Sequence, residues 1–235
     1  MSNDFYLFAN CNFVPDKYED WQLAYDDLAK YVQSSEPTTK TYYFGIPMDY
    51  AHDISKTTSM FAFEIYGSRE DLYATHLTSP AMTMFLQKIP LSTTTDLDLA
   101  HYGLVAGFLD SSATGAPCAI MQDIRITSPS LFARSALLVS LAKFIGSVQR
   151  TELSRGGSDV LTYTGYECLD DDTGARIFGR WRTREAFEAF IRRADVAEFW
   201  RGIRGNVARL DQRCYVENGK GWLHRGEGSG YAGES

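Results

Sequence analysis

The chain has 235 residues, 44% hydrophobic and 23% charged, enough for one large core or two small ones of roughly 100 residues each. A net charge of -7 without any block of Lys and Arg argues against a nucleic-acid or anionic-membrane partner, because phosphate binding needs clustered cations. There is no run of about 18 apolar residues and no basic-then-apolar start, and Cys11, Cys118, Cys168 and Cys214 form no CxxC pair or metal-spaced cluster. A cytoplasmic protein with reduced thiols is expected, and no metal.

In chain order, "FYLFANCNFV" at 5–14 alternates apolar and polar like a strand. The stretch 16–33 then places Tyr18, Trp21, Leu23, Tyr25, Leu28 and Tyr31 at mainly helical spacing. Strands are read over 39–47 and 60–67. A helix follows from Arg69 to Lys88, bent at Pro80, and a fourth strand covers 99–109. The second half repeats this order, with a strand over 118–127, a helix over 131–150 and a hairpin, 160–169 and 175–183, around "DDDTG". One helix over 184–205 and a strand over 209–217 complete it. The expected organisation is a first half at 1–110, a Ser/Gly/Pro linker at 111–117, a second half at 118–223 and a Gly-rich tail at 224–235.

The two halves also match residue by residue. At a constant offset Arg69 meets Arg184, Glu70 meets Glu185 and Ala74 meets Ala189, with Tyr66/Trp181, Ser68/Thr183 and Leu72/Phe187 conservative. At the same offset His76 meets Ile191, so one half alone carries the histidine. The β-α-β-β-α-β order is that of the ferredoxin-like unit, whose sheet carries helices on one face and leaves the other bare. The expected fold is therefore α+β: two tandem ferredoxin-like units packed sheet to sheet as an intramolecular pseudo-dimeric α+β barrel with a cavity between them. Ser68 and Thr183 read as N-caps, with Glu70 and Glu185 favourable to the helix dipole.

Tyr66, Ser68, Glu70, Leu72, His76 and Ser79-Pro80 form a pattern that resembles the antibiotic biosynthesis monooxygenase family of dimeric α+β barrels, here as two tandem copies. The second copy departs from it at Ile191, and Tyr66 stands where Trp is usual. The resemblance implies a cofactor-independent enzyme, a monooxygenase acting on an electron-rich aromatic or polyketide-like small molecule in secondary metabolism. An isomerase or cyclase on a similar substrate, or a noncatalytic small-molecule or heme binder, stays open. The heme-degrading subgroup is echoed by Asn10 or Asn12 with Tyr66 and His76. No nucleotide or metal motif points to a cofactor. The expected partner is a small aromatic substrate, with room for a homodimer.

His76, matching the family's pocket-facing histidine, is the candidate base, since imidazole titrates near neutral pH; a core histidine bonded to a backbone carbonyl is the plainer reading. If Leu7, Ala9, Cys11 and Phe13 face the helices, Tyr6, Phe8, Asn10 and Asn12 face the cavity as substrate contacts. By the same parity Phe61, Phe63 and Ile65 face the helices and Glu64 and Tyr66 turn inward. Glu64 is then a second acid/base group, or else an ion-pair partner of Arg125 or Arg180. Tyr66 is a hydrogen-bond donor or an aromatic wall. In the second half Met121, Asp123, Arg125 and Trp181 face inward, Asp123 and Arg125 pairing across the pocket or steadying the contact between halves. The arginines between 180 and 204 read mostly as a solvated helix face.

Overall fold

The computed structural model describes residues 4–110, 117–155 and 159–225. The chain is α+β and divides into two compact units, one formed by 1–101 with 218–235 and the other by 102–217. Nearly all of the expected linker, 111–116, and of the tail, 226–235, lies outside the described residues.

The first unit contains β1 (Phe5–Asn12), α1 (Tyr18–Ser35), β2 (Thr39–Pro47), β3 (Ser59–Tyr66), a π-helical turn over Asp71–His76 and α2 (Pro80–Lys88). β4 (Asp98–Phe108) begins in this unit. β3 lies between β1 and β2, antiparallel to both, so Glu64 stands opposite Leu7 on one side and Tyr42 on the other. α1 buries Trp21, Tyr25, Leu28 and Val32, the recurring stripe of an amphipathic helix. Leu23, expected in that stripe, is 69% exposed; Ala24 and Ala29 take the close-packed places.

The second unit contains β5 (Ile120–Thr127), α3 (Leu131–Ser154), β6 (Val160–Cys168), β7 (Gly174–Trp181), α4 (Arg184–Ile191) and α5 (Ala194–Ile203), and β8 (Arg209–Trp222) runs from it into the first unit. Its hydrogen-bonded strand order is β8-β5-β7-β6-β4. By length and composition α3 is apolar enough to cross a membrane, yet it places Leu137, Leu141, Phe144, Ile145 and Val148 in the core, with Phe144 stacked on Phe199 at 4.4 Å.

Both second helices are broken: the bend expected at Pro80 is a full break, and the single helix expected over 184–205 is two. In the first unit the segment widens into the π-helical turn, closed by Leu77 N–H on the Leu72 carbonyl, and α2 restarts at Pro80 with the Ser79 hydroxyl accepting from Met82 N–H. Proline suits the first helical position because its missing N–H has no partner there. In the second unit Arg193 is extended and clamps Asp195 while reaching the buried Glu152, which separates α4 from α5. The expected caps form: Ser68 Oγ accepts from Asp71 N–H and Thr183 Oγ from Ala186 N–H. β8 extends five residues past the expected Glu217, to Trp222. Gly221 permits this, because its φ is +75° and a Cβ there would sit 2.0 Å from the Tyr42 carbonyl oxygen.

Candidate functional site

In the first unit, ionisable side chains meet in the layer between the sheet and its helices. Glu64 on β3 is 4% exposed and accepts hydrogen bonds from Tyr25 of α1 (3.1 Å) and from Tyr66 two residues along its own strand (2.7 Å). Burial raises its pKa above the usual carboxylate value, against the lowering effect of His76 and of the two tyrosine hydroxyls. Burial also holds Tyr25 and Tyr66 well above the ordinary phenol pKa, so both remain donors.

His76, at the end of the π-helical turn, is 2% exposed. Its Nδ1 lies 2.8 Å from Glu36 Oε2, in the turn that closes α1, and the Glu36 side chain is itself 1% exposed. The ring lies against Tyr66 (5.5 Å between centroids) and Tyr42 (5.8 Å). A carboxylate acceptor requires the proton on Nδ1, so in the neutral form of the ring Nε2 carries the lone pair. No hydrogen bond engages Nε2 among the described residues.

These groups surround a cavity of about 40 Å³. Glu64, His76, Tyr25, Tyr42 and Trp21 supply its polar atoms, Leu7, Ala9, Leu72, Met82 and Phe85 its apolar wall. The Trp21 indole N–H is buried without a hydrogen-bond partner. Leu77, Leu97 and Leu99 are only partly buried and form the outer edge. The arrangement offers an imidazole lone pair, a carboxyl group biased toward its neutral form and tyrosine hydroxyls in a water-poor space, which is the equipment of general acid–base chemistry. Among the described residues no cluster of His, Cys, Asp and Glu could hold a metal.

Three residues picked out in the sequence, His76, Glu64 and Tyr66, come together here; the others do not. The parity expected for β1 holds, with Leu7, Ala9 and Cys11 on the cavity wall. The parity expected for β3 is reversed: Ala62 and Glu64 share the face of Leu7 and Ala9, toward the helices, while Phe63 pairs with Phe8 on the other face. Asn10 and Asn12 bond to Asp98 and Thr95, with Tyr6 and Phe8 on the same face of β1. Burial, helped by the charge of Asp4, pushes the Tyr6 phenol up to about 12. Phe8 stacks on Phe61 and Phe63.

The expected ion pairs also rearrange. Asp123 is held by Arg176 in a two-pronged contact (2.6 and 2.8 Å), while Arg125 is exposed. Arg180 pairs with Asp110 and Glu217, and Glu64 is held by tyrosines. Trp181 packs between Tyr163, Phe187 and Phe190, on the helix side of its unit.

The residue that replaces His76 in the second unit is Phe190. Ile191, its partner at constant sequence offset, is 42% exposed, whereas Phe190 is 3% exposed and lies 5.4 Å from Trp181 much as His76 lies 5.5 Å from Tyr66. A π-helical turn holds one more residue than an α turn, so the offset slips by one across it. Gly179 stands where the register places Glu64 in the first unit, and a Cβ there would lie 2.4 Å from Trp181. The second unit therefore carries the same aromatic frame without counterparts of His76 and Glu64.

Glu36 and Tyr42 were not singled out in the sequence, and Trp21 and Tyr25 were read there as members of a helical stripe and not as site residues. Glu36 had no local signal, for its importance comes from His76, forty residues away.

No family model matches the chain, and no curated protein resembles it in sequence. Its architecture is found in solved structures. A structure of a Lactobacillus acidophilus NCFM protein named "putative monooxygenase" superposes with a TM-score of 0.70 at 11% identity, covering 91% of this chain and 93% of that one. A Fusobacterium nucleatum protein of the same description gives 0.74 at 11% identity over 94% and 95%. An "anthrone oxidase-like protein" gives 0.60 at 14% identity over 91% and 90%. At these identities the likeness speaks to the fold, and in fold the chain is similar over nearly its whole length to monooxygenase-named proteins, as its tandem antibiotic biosynthesis monooxygenase-like sequence pattern implies.

Proposed function

We propose that the chain is a cofactor-independent enzyme, a monooxygenase that oxidises an electron-rich aromatic or polyketide-like small molecule, with the chemistry carried by the first of two ferredoxin-like units. The observation that carries this reading is the buried His76, which lines the same cavity as Glu64 and whose Nε2 no hydrogen bond engages among the described residues. In this reading His76 Nε2 removes a proton from an acidic C–H or O–H of the substrate. Glu64, protonated, or Tyr66 donates a hydrogen bond to the oxyanion that develops. The resulting anion is electron-rich enough to reduce O2 by itself. Oxygen adds to the carbanion carbon as a hydroperoxide, which loses water as the second C–H proton leaves; in sum a CH2 group and O2 become C=O and H2O.

A cavity of about 40 Å³ admits roughly three waters, whereas pockets for drug-sized ligands measure about 300–1,000 Å³. A ring system therefore enters only when Leu77, Leu97 and Leu99 swing outward, and their partial exposure suits them to that. The same acid–base pair would serve an isomerase or cyclase that uses no O2, and this is the second reading. The four free cysteines fit a reducing, cytoplasmic setting.

The test is turnover of an anthrone-type substrate in air and under nitrogen. O2-dependent conversion to the ketone that falls about 100- to 10,000-fold in His76→Ala supports the monooxygenase reading. Conversion that proceeds equally under nitrogen moves the assignment to the second reading, and conversion unaffected by the substitution removes His76 from it. Tight binding of hemin that His76→Ala abolishes would replace both readings with heme chemistry.

A further inference from the structure

Each unit buries a glutamate at the C-terminal end of its first helix, Glu36 after α1 and Glu152 in the last turn of α3. The two differ in what holds them. Glu152 is held by Arg193 at 2.8 Å, a permanent cation that also clamps Asp195, and this pair is structural. Glu36 is held by His76, whose charge depends on protonation. We propose that Glu36 is a positioning residue: its carboxylate fixes His76 with the proton on Nδ1, aims Nε2 into the cavity and stabilises the imidazolium formed when Nε2 takes a proton. This rests on the acid–base reading of His76 given above.

The turn around Glu36 is built to keep that carboxylate in place. Thr39 Oγ1 donates to Glu36 Oε2 at 3.4 Å, the same oxygen that faces His76. Arg225 donates to the carbonyls of Val32, Gln33, Glu36 and Thr39 and packs over Trp222, tying the end of α1 to the chain after β8. Glu36 Oε1 is buried with no hydrogen-bond partner, so the carboxylate's interactions converge on the oxygen that His76 uses. The proton leaves the substrate for Nε2 and returns from it, and none passes to Glu36. The titratable and charged groups that face the pair are Glu64 and Tyr66 from β3, Tyr42 from β2 and Arg225 from the C-terminal segment.

The test is nitrogen-15 NMR of the His76 ring in the intact protein, which needs neither substrate nor turnover. In the wild type the neutral ring should carry its proton on Nδ1. In Glu36→Ala the fixed acceptor is gone, and the neutral ring should become a mixture of Nδ1–H and Nε2–H forms. Glu36→Asp should keep the Nδ1–H form, since it keeps the carboxylate. A wild-type ring protonated on Nε2, or a Glu36→Ala ring that keeps the pure Nδ1–H form, overturns the proposal. The wild-type tautomer decides the matter even if Glu36→Ala does not fold. If the tautomers behave as expected while His76→Ala leaves turnover intact, the positioning stands and the catalytic reading of His76 falls; the two failures are thus distinguishable.

Discussion

Removing His76 should damage the fold as well as the chemistry, and the size of the damage follows from the geometry of its pair with Glu36. Both side chains are 3% or less exposed and meet at 2.8 Å. His76→Ala leaves the Glu36 carboxylate in an apolar layer with Thr39, 3.4 Å away, as its remaining side-chain donor. Breaking a buried pair from one side typically costs about 3–5 kcal/mol, because the surviving charge keeps its desolvation penalty without its partner. For a chain of this length that is a fall in Tm of roughly 6 to 20 °C. Glu36→Ala should cost less, since the imidazole it leaves can be neutral. The double substitution should cost clearly less than the sum, with a coupling of about 1 kcal/mol or more. Urea unfolding of the four proteins at neutral pH gives all three numbers. Additive effects, or a cost for His76→Ala below about 1 kcal/mol, would refute the idea that the carboxylate depends on its histidine.

Other expectations concern single residues. Glu64 has a raised pKa when folded, so its favourable contribution is fully present below the ordinary carboxylate value and is lost as pH rises through the folded pKa; Tm of Glu64→Gln relative to wild type should increase as pH is raised from about 4, and a pH-independent difference would count against the buried, proton-retaining carboxyl. Phe190→Ala should lose about 3–5 kcal/mol and Ile191→Ala under about 1 kcal/mol, because the first is core and the second is 42% exposed. The reverse order in chemical denaturation would restore the constant-offset alignment. Gly221→Ala should destabilise strongly, since its Cβ would strike the Tyr42 carbonyl and its φ is positive. An unchanged Tm in that variant would refute the close approach of Gly221 to the Tyr42 carbonyl.

Sequence by itself determined the order of the elements, because hydrophobic periodicity and turn residues are local properties. The strands at 39–47 and 160–168, the caps at Ser68 and Thr183 and the singular histidine were all legible on that basis. It could not orient β3. Both faces of that strand are buried, so alternation of large apolar and other residues says nothing about which face meets the helices. Nor could it see the π-helical turn, a backbone choice that shifts His76 from the register of Ile191 to that of Phe190. The partners of the buried charges were likewise settled only in three dimensions: Glu36 for His76, Tyr25 and Tyr66 for Glu64, and Arg176 for Asp123. A buried ionisable group takes whichever hydrogen-bond partner the packed chain brings within about 3 Å, and except for Tyr66 beside Glu64 those partners lie 39 to 53 residues away in sequence, beyond the reach of any local pattern.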